Sequence, residues 1–276
     1  MTALDAWTEQ LAAWAIPEHI VAAAPESPWV LPKAVFTRRA DRYVGSPVGA
    51  SYEELHKALQ DKGTVLDIGA GAGAASLPAA EFITHLTAVD ANEDLLAEFA
   101  QRATALGVEH ELVHGCWPEV AGDVDPADVV ICANVLYNVP DLRPFAEALT
   151  GWARRRVIVE LADAHPLTSI NALWKHFHGI DRPLGPTAED AAAALRELGI
   201  EPEVARWRRP AMAEYRRFGE LVDVTRRRLC LPPEAADDVA EALRGQGIDA
   251  GNPPDLGSSG REVVTLSWSG SPKRGS

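Results

Sequence analysis

The residues best suited to chemistry lie in one short stretch, Val65-Leu66-Asp67-Ile68-Gly69-Ala70-Gly71-Ala72-Gly73. A carboxylate sits in an apolar run, and glycines come after it at two-residue spacing. Glycine permits a tight turn and lets a ligand approach the backbone closely. Related turns serve several nucleotide ligands, and three details narrow the choice. Asp67 stands where a dinucleotide site must carry a pyrophosphate, so an anion there is unfavourable. An acid instead suits a cationic amino-acid ligand, directly or through a water. The spacing is Gly-x-Gly-x-Gly, with Ala74 where the dinucleotide fingerprint has its third glycine. No Lys-Ser or Lys-Thr pair comes next, so the stretch is not a phosphate-binding P-loop. Asp90 then ends the next apolar run, where a carboxylate can accept hydrogen bonds from both hydroxyls of a ribose. The alternatives are a purely structural turn for the glycines and a helix N-cap for Asp90.

The elements that must position these residues alternate along the chain. Strands are expected at Val65–Ile68, Leu86–Asp90, Glu111–His114, Asp128–Ala133 and Arg156–Leu161. Helices are expected between them at Ala74–Phe82, Asp94–Leu106 and Leu142–Ala153. Such alternation argues for a parallel sheet covered on both faces. Further on, Trp174 sits in a helix, Thr187 and Asp190 cap another, and Glu201–Arg208 reads as strand six. Helices at Met212–Arg227 and Pro233–Gly245 lead to a last strand at Val263–Trp268, which can enter antiparallel. The expected fold is therefore α/β, a doubly wound, seven-stranded, mostly parallel sheet with helical cap elements. Residues 1–60 read as an N-terminal helical segment or lid, with helices at Asp5–Trp14 and Pro17–Ala24. Ser51 and Glu54 form a capping-box pattern for a helix to about Gln60. Residues 61–276 form the ligand-binding domain, with helical insertions at about 162–195 and 209–260, and the tail after Ser269 is expected to be disordered.

From Thr64 to Leu161 the chain resembles the class I S-adenosylmethionine (SAM)-dependent methyltransferases, and its overall pattern is similar to actinobacterial members. The resemblance implies a Rossmann-like fold, SAM as cofactor and S-adenosyl-L-homocysteine (SAH) as product. It assigns the methionine end of SAM to Asp67, Gly69, Gly71 and Gly73, and the ribose to Asp90, with Ala91 near the adenine. The segment Asp128 to Asp141 resembles the family's strand four and the loop after it, which sets Asn134 beside the methionine moiety. Two departures stand out. Gly115-Cys116-Trp117-Pro118 lacks the acid that often binds the adenine amino group, so the Cys116 amide or the Trp117 ring is expected to meet the adenine, with ordinary core as the alternative for Trp117. The Gly-rich turn before strand five is replaced by Ala148-Leu149-Thr150-Gly151-Trp152.

Methyl transfer from a sulfonium requires an aligned acceptor and often a proton acceptor. The candidates are Tyr137 and Asn138 after strand four and His165 after strand five, each with packing or surface as the alternative. His176 and His178 are two residues apart, so a helix separates their faces, and no metal site is expected. There is no Asn/Asp-Pro-Pro-aromatic motif of adenine or glutamine amino methyltransferases after strand four, and no Pro-Cys cytosine C5 nucleophile.

The formal net charge is −14, from 40 acidic and 26 basic residues, which disfavours a nucleic-acid partner. Basic clusters at Arg154–Arg156, Arg206 with Arg208 and Arg209, and Arg226–Arg228 read as solvated faces, with an anionic substrate or partner as the alternative. Trp14, Trp29, Trp174 and Phe177 are available to roof an acceptor site suited to a small organic molecule. The expected activity is O- or N-methylation of a small molecule. A protein or rRNA methyltransferase and a non-catalytic SAM-binding module are the alternatives. Cys116, Cys132 and Cys230 read as buried thiols. With no apolar stretch long enough for a membrane and no basic, apolar leader, a cytoplasmic location is expected.

Overall fold

The computed structural model describes residues 1–29 and 31–271. Four helices come first: α1 (Ala3–Ala12), α2 (Glu18–Ala23), α3 (Lys33–Gly45) and α4 (Ala50–Ala58). The alternating part comprises β1 (Gly63–Ile68), β2 (Ile83–Asp90), α5 (Glu93–Ala105), β3 (His110–His114), β4 (Ala127–Ala133), α6 (Leu142–Trp152) and β5 (Ala153–Ala162). The rest comprises α7 (Asn171–His178), α8 (Ala188–Glu197), β6 (Glu203–Arg208), α9 (Phe218–Arg228), α10 (Ala236–Gly245) and β7 (Glu262–Ser269).

The strands form one sheet in the order β3-β2-β1-β4-β5-β7-β6. The β1–β5 pairs are parallel, and β7 runs antiparallel to both β5 and β6. Strand order reverses between β1 and β4, which opens a crevice at their carboxyl ends. Side chains alternate between two cores. Leu66, Ile68, Val130 and Val159 pack toward α6, α8 and Trp7 of α1, whereas Val65, Val129, Ile131 and Ile158 pack with Leu55 of α4 and Phe99 of α5. This period of two comes from the pleat. A third core joins Ile20 and Val35 to Trp174, Tyr215, Leu221, Val239 and Leu243, binding the N-terminal segment to α7, α9 and α10.

Several expected boundaries move for identifiable reasons. No α-helix forms over residues 74–82; the chain turns and then makes a 3₁₀ helix at Leu77–Phe82, kinked at Ala79. Pro78 lacks the N–H that an α-helix needs there. The Ser51–Glu54 capping box does not form. The helix starts earlier, with Gly49 as N-cap, and the Ser51 hydroxyl instead meets Thr265 Oγ1 at 2.8 Å. Glu54 faces Arg156 at 3.2 Å. Helix α3 is an addition to the expected elements; it begins straight after Pro32. The helix expected from Met212 starts only at Phe218, because Glu214 and Tyr215 donate their amides to the Pro253 carbonyl. In the tail, Gly270 and Ser271 still donate to the carbonyls of Arg155 and Thr150, and the rest lies outside the described residues. Among the described residues no helix is long and apolar enough to cross a membrane.

Candidate active site

The glycine turn is held in place by β2. Gly69 and Ala70 donate their amides to the Val89 carbonyl at 2.8 and 3.0 Å. Gly69, Gly71 and Gly73 have φ of 71°, 53° and 93°, a region that L side chains rarely adopt. A Cβ on Gly69 would lie 2.3 Å from Val135 Cγ2, so the loop after β4 closes tightly on the turn. Asp90 completes the link. Its Oδ2 accepts the Gly71 amide at 2.8 Å and its Oδ1 accepts the Asn92 amide at 2.8 Å. Asn92, not Asp90, is the N-cap of α5, accepting from Leu95 N. The Asp90 carboxylate is only partly buried, and with about four acceptor positions it keeps two for a ligand's hydroxyls.

Asp67 lies beneath the turn and is fully buried. Ser76 donates its hydroxyl to Asp67 Oδ2 at 2.5 Å, while Oδ1 has no hydrogen-bond partner among the described residues. Burial raises its pKa to about 7, opposed by the Ser76 hydrogen bond and reinforced by the Asp90 charge. A buried carboxylate with an unmet acceptor is matched by a cation's N–H groups, directly or through a water. Asn134 comes directly after β4 with φ 61° and is exposed; its amide donates to the Glu160 carbonyl at 2.7 Å. The glycine turn, Asp90 and Asn134 thus border the β1–β4 crevice.

At the outer edge Ala91 and Cys116 are exposed, and the Gly115 amide donates to the Asp90 carbonyl at 3.0 Å. His114 Nε2 lies 3.1 Å from the Ala91 carbonyl. Trp117 departs from the expectation of an adenine contact. It is buried in the core and meets Trp152 edge to face, with centroids 5.8 Å apart. Cys116 likewise departs from the expected buried thiols, whereas Cys132 and Cys230 are buried.

Residues 65–155 match the family model described as "Methyltransferase domain". Over these residues the chain is similar to the methyltransferase-domain family. The fold agrees with this. A putative methyltransferase from Bacillus halodurans C-125 superposes with a TM-score of 0.51 at 16% identity, covering 80% of this chain and 100% of that one. Magnesium protoporphyrin IX methyltransferase from Synechocystis PCC 6803, with bound SAH, gives a TM-score of 0.50 at 16% identity, covering 86% of this chain and 84% of that one. An uncharacterized protein of Haemophilus influenzae is 32% identical over 125 residues, which are 44% of this chain and 46% of that protein. The chain therefore spans less than half the length of that relative.

The matched region is roofed by α3. A Cβ on Gly71 would lie 3.9 Å from Phe36 of this helix. Three arginines of α3 tie it to the segment 213–258. Arg42 contacts Glu214 at 2.8 Å, Arg39 contacts Asp255 at 2.7 Å, and Arg38 contacts Glu220 at 3.2 Å. Glu214 and Asp255 are buried. Beside this roof a small cleft of about 50 Å³ runs along the α4 face of the sheet. Asn134, Glu160, Trp207, Arg209, Tyr43 and Arg39 all line it.

Four of these residues carry polar groups that sequence reasoning does not single out. Arg209 groups in sequence with Arg206 and Arg208 on an expected solvated face, yet it is buried and its Nη2 reaches Glu160 Oε1 at 2.6 Å. The period of two in β6 is the available signal, since it puts Arg209 on the side of Ala205 and Trp207, away from exposed Arg206 and Arg208.

The residues expected to transfer a proton lie outside this lining. Tyr137 donates its hydroxyl to the Ala162 carbonyl at 2.7 Å, stacks on Trp7, and has its pKa raised by burial. His165 stacks on Trp14 with centroids 4.0 Å apart, and its Nδ1 accepts the Leu167 amide at 3.3 Å. Burial and then Arg261 push its pKa down to about 3. Asn138 is exposed on the 3₁₀ turn after β4. The aromatic roof also differs from expectation: Trp174 is buried in the third core with Phe177 packed against it, Trp14 covers His165, and Trp29 is exposed. His178 Nε2 lies 2.7 Å from the Leu229 carbonyl and His176 is exposed.

Proposed function

We propose that this protein is a SAM-dependent methyltransferase that transfers a methyl group to an O or N atom of a small molecule. The observation that carries this reading is the Asp90 carboxylate, held by the Gly71 and Asn92 amides at the switch point of the sheet and still open to a ribose. Asp90 binds the two ribose hydroxyls. Asp67, steadied by Ser76, receives the ammonium group of the methionine moiety, and Asn134 borders that moiety from β4. Gly69, Gly71 and Gly73 keep the backbone clear for it. Ala91 and the Cys116 amide flank the adenine, with no part for the Trp117 ring. Bound SAM supplies a methyl group on a sulfonium, transferred by in-line displacement to leave SAH.

The chain's own residues then have two tasks at the acceptor. The cleft beside Asn134 aligns it, and such positioning accounts for much of the rate in transfers of this kind. Glu160, whose Oε1 is fixed by Arg209, offers its other oxygen to the acceptor's O–H or N–H. Tyr137 and His165 hold the fold together instead, because the Tyr137 hydroxyl and His165 Nδ1 are already engaged and both rings are packed against tryptophans.

A small acceptor is favoured by the roofed cleft and by the state of the basic clusters. Arg206 pairs with Asp163 and Glu189, Arg156 with Glu54 and Glu203, and Arg226 with Glu26. A protein or rRNA substrate would need such arginines free along a path to the site. The direct test is SAH production from SAM with a library of small O–H and N–H compounds, beside an Asp90→Ala control. Turnover by the wild type alone supports the reading. Binding of SAH without turnover on any compound, peptide or RNA would favour a binding module.

A further inference from the structure

The cleft beside the cofactor strands has a feature that methyl transfer alone does not require. Arg209 is 4% exposed, and Glu160 takes its Nη2. Its Nη1 and Nε have no hydrogen-bond partner among the described residues, and the same is true of Trp207 Nε1. Glu160 thus engages a single nitrogen of the guanidinium and leaves the N–H groups of the other two to be met. The Trp207 ring lies 5.6 Å from the guanidinium carbon and the Tyr43 ring 5.9 Å from it, so the charge is framed by aromatic faces. Buried N–H groups are rarely left without acceptors, and a buried arginine is well matched to a carboxylate. Among the described residues Glu160 is the sole acidic one in the lining and one of its oxygens is taken by Arg209, while Arg39 in the same lining pairs through Nη2 with Asp255. Val48 and Pro78 supply an apolar wall nearby.

We propose that the methyl acceptor is a small organic acid whose carboxylate is bound by Arg209 Nη1 and Trp207 Nε1. This rests on the methyl-transfer reading above. The acid's body lies against the aromatic and apolar walls, and its nucleophilic O or N faces Asn134 and Glu160.

The same donors could instead take the carboxylate of the methionine moiety, and the test separates the two sources. SAH is first titrated into wild type, Trp207→Phe and Arg209→Gln. Hydroxybenzoates and aminobenzoates, each beside its neutral carboxamide, are then titrated into the SAH complexes and assayed for methylation with SAM. Trp207→Phe keeps the ring and removes only the N–H, so it remains informative if Arg209→Gln fails to fold. The expected result is an acid bound at least about tenfold more tightly than its amide by the wild type. That preference should fall to within about threefold in the variants, while SAH affinity stays within about twofold. Equal binding of acid and amide, no binding of any acid, or a parallel loss of SAH affinity in the variants would overturn the proposal. Failure of the wild type to bind SAH would instead remove the reading on which it rests.

Discussion

Asp90 at the end of β2 and Gly71 in the turn after β1 are joined by a 2.8 Å hydrogen bond from backbone amide to carboxylate. The bond fixes the glycine turn and the candidate ribose acceptor as one unit, so neither can move without the other. That coupling has consequences for the glycines themselves.

Gly69 and Gly71 should respond differently to alanine. Both have positive φ, but a methyl on Gly69 meets Val135 at 2.3 Å, whereas one on Gly71 has open space to 3.9 Å. Gly71→Ala should cost about 1–2 kcal/mol, the usual left-handed penalty. Gly69→Ala adds a steric clash of about 1–3 kcal/mol. Denaturant unfolding of both variants checks the order; equal losses would count against the packing described.

Asp67 should make stability and ligand binding depend on pH in opposite directions. Its folded pKa of about 7 lies above the ordinary aspartate value of 3.8, so the folded state holds the proton more tightly. This group's contribution is therefore fully present below about pH 4 and is lost as pH rises through about 7. The difference in stability between wild type and Asp67→Asn should take that course. SAH affinity should rise over the same window, because the ammonium group favours the ionised carboxylate. A pH-independent difference between the two proteins would contradict the buried placement of Asp67.

Glu214 should anchor the roof. Its side chain is 3% exposed and receives Arg42 at 2.8 Å. Breaking a buried pair leaves an uncompensated charge, so Glu214→Gln should cost about 3 kcal/mol with little salt dependence. SAH affinity should weaken as α3 loosens over Gly71. A loss below about 0.5 kcal/mol would place this network among surface pairs of small effect.

Tyr137→Phe and His165→Gln should leave turnover within about threefold of wild type while lowering stability by about 1–3 kcal/mol, since each change leaves a buried partner unmatched. A drop of a hundredfold or more in kcat, with the fold intact, would return them to the chemistry.

Much of the fold is legible in the amino-acid order alone. The sheet, the antiparallel last strand and the Thr187–Asp190 cap all come from apolar periodicity and local capping chemistry, which act over a few residues. The glycine turn between Asp67 and Asp90 is equally plain, because positive φ after a strand calls for glycine. The features that escape depend on distant partners. Ser51 reads as an N-cap until Thr265 is seen beside it. His165 reads as a loop base until Trp14, far away in sequence, covers it. Arg209 reads as one more exposed arginine until Glu160 is placed across the cleft. Helix α3 escapes because prolines on its N-terminal side hide its start.

Assignment of the crevice to SAM is tested most directly by calorimetric titration of the purified protein with SAH, run in parallel on Asp90→Ala. The wild type should bind in the micromolar range, about −8 kcal/mol, and the variant at least about tenfold more weakly while remaining folded. A folded wild type that binds no SAH, or an Asp90→Ala variant that binds it equally well, would contradict that assignment.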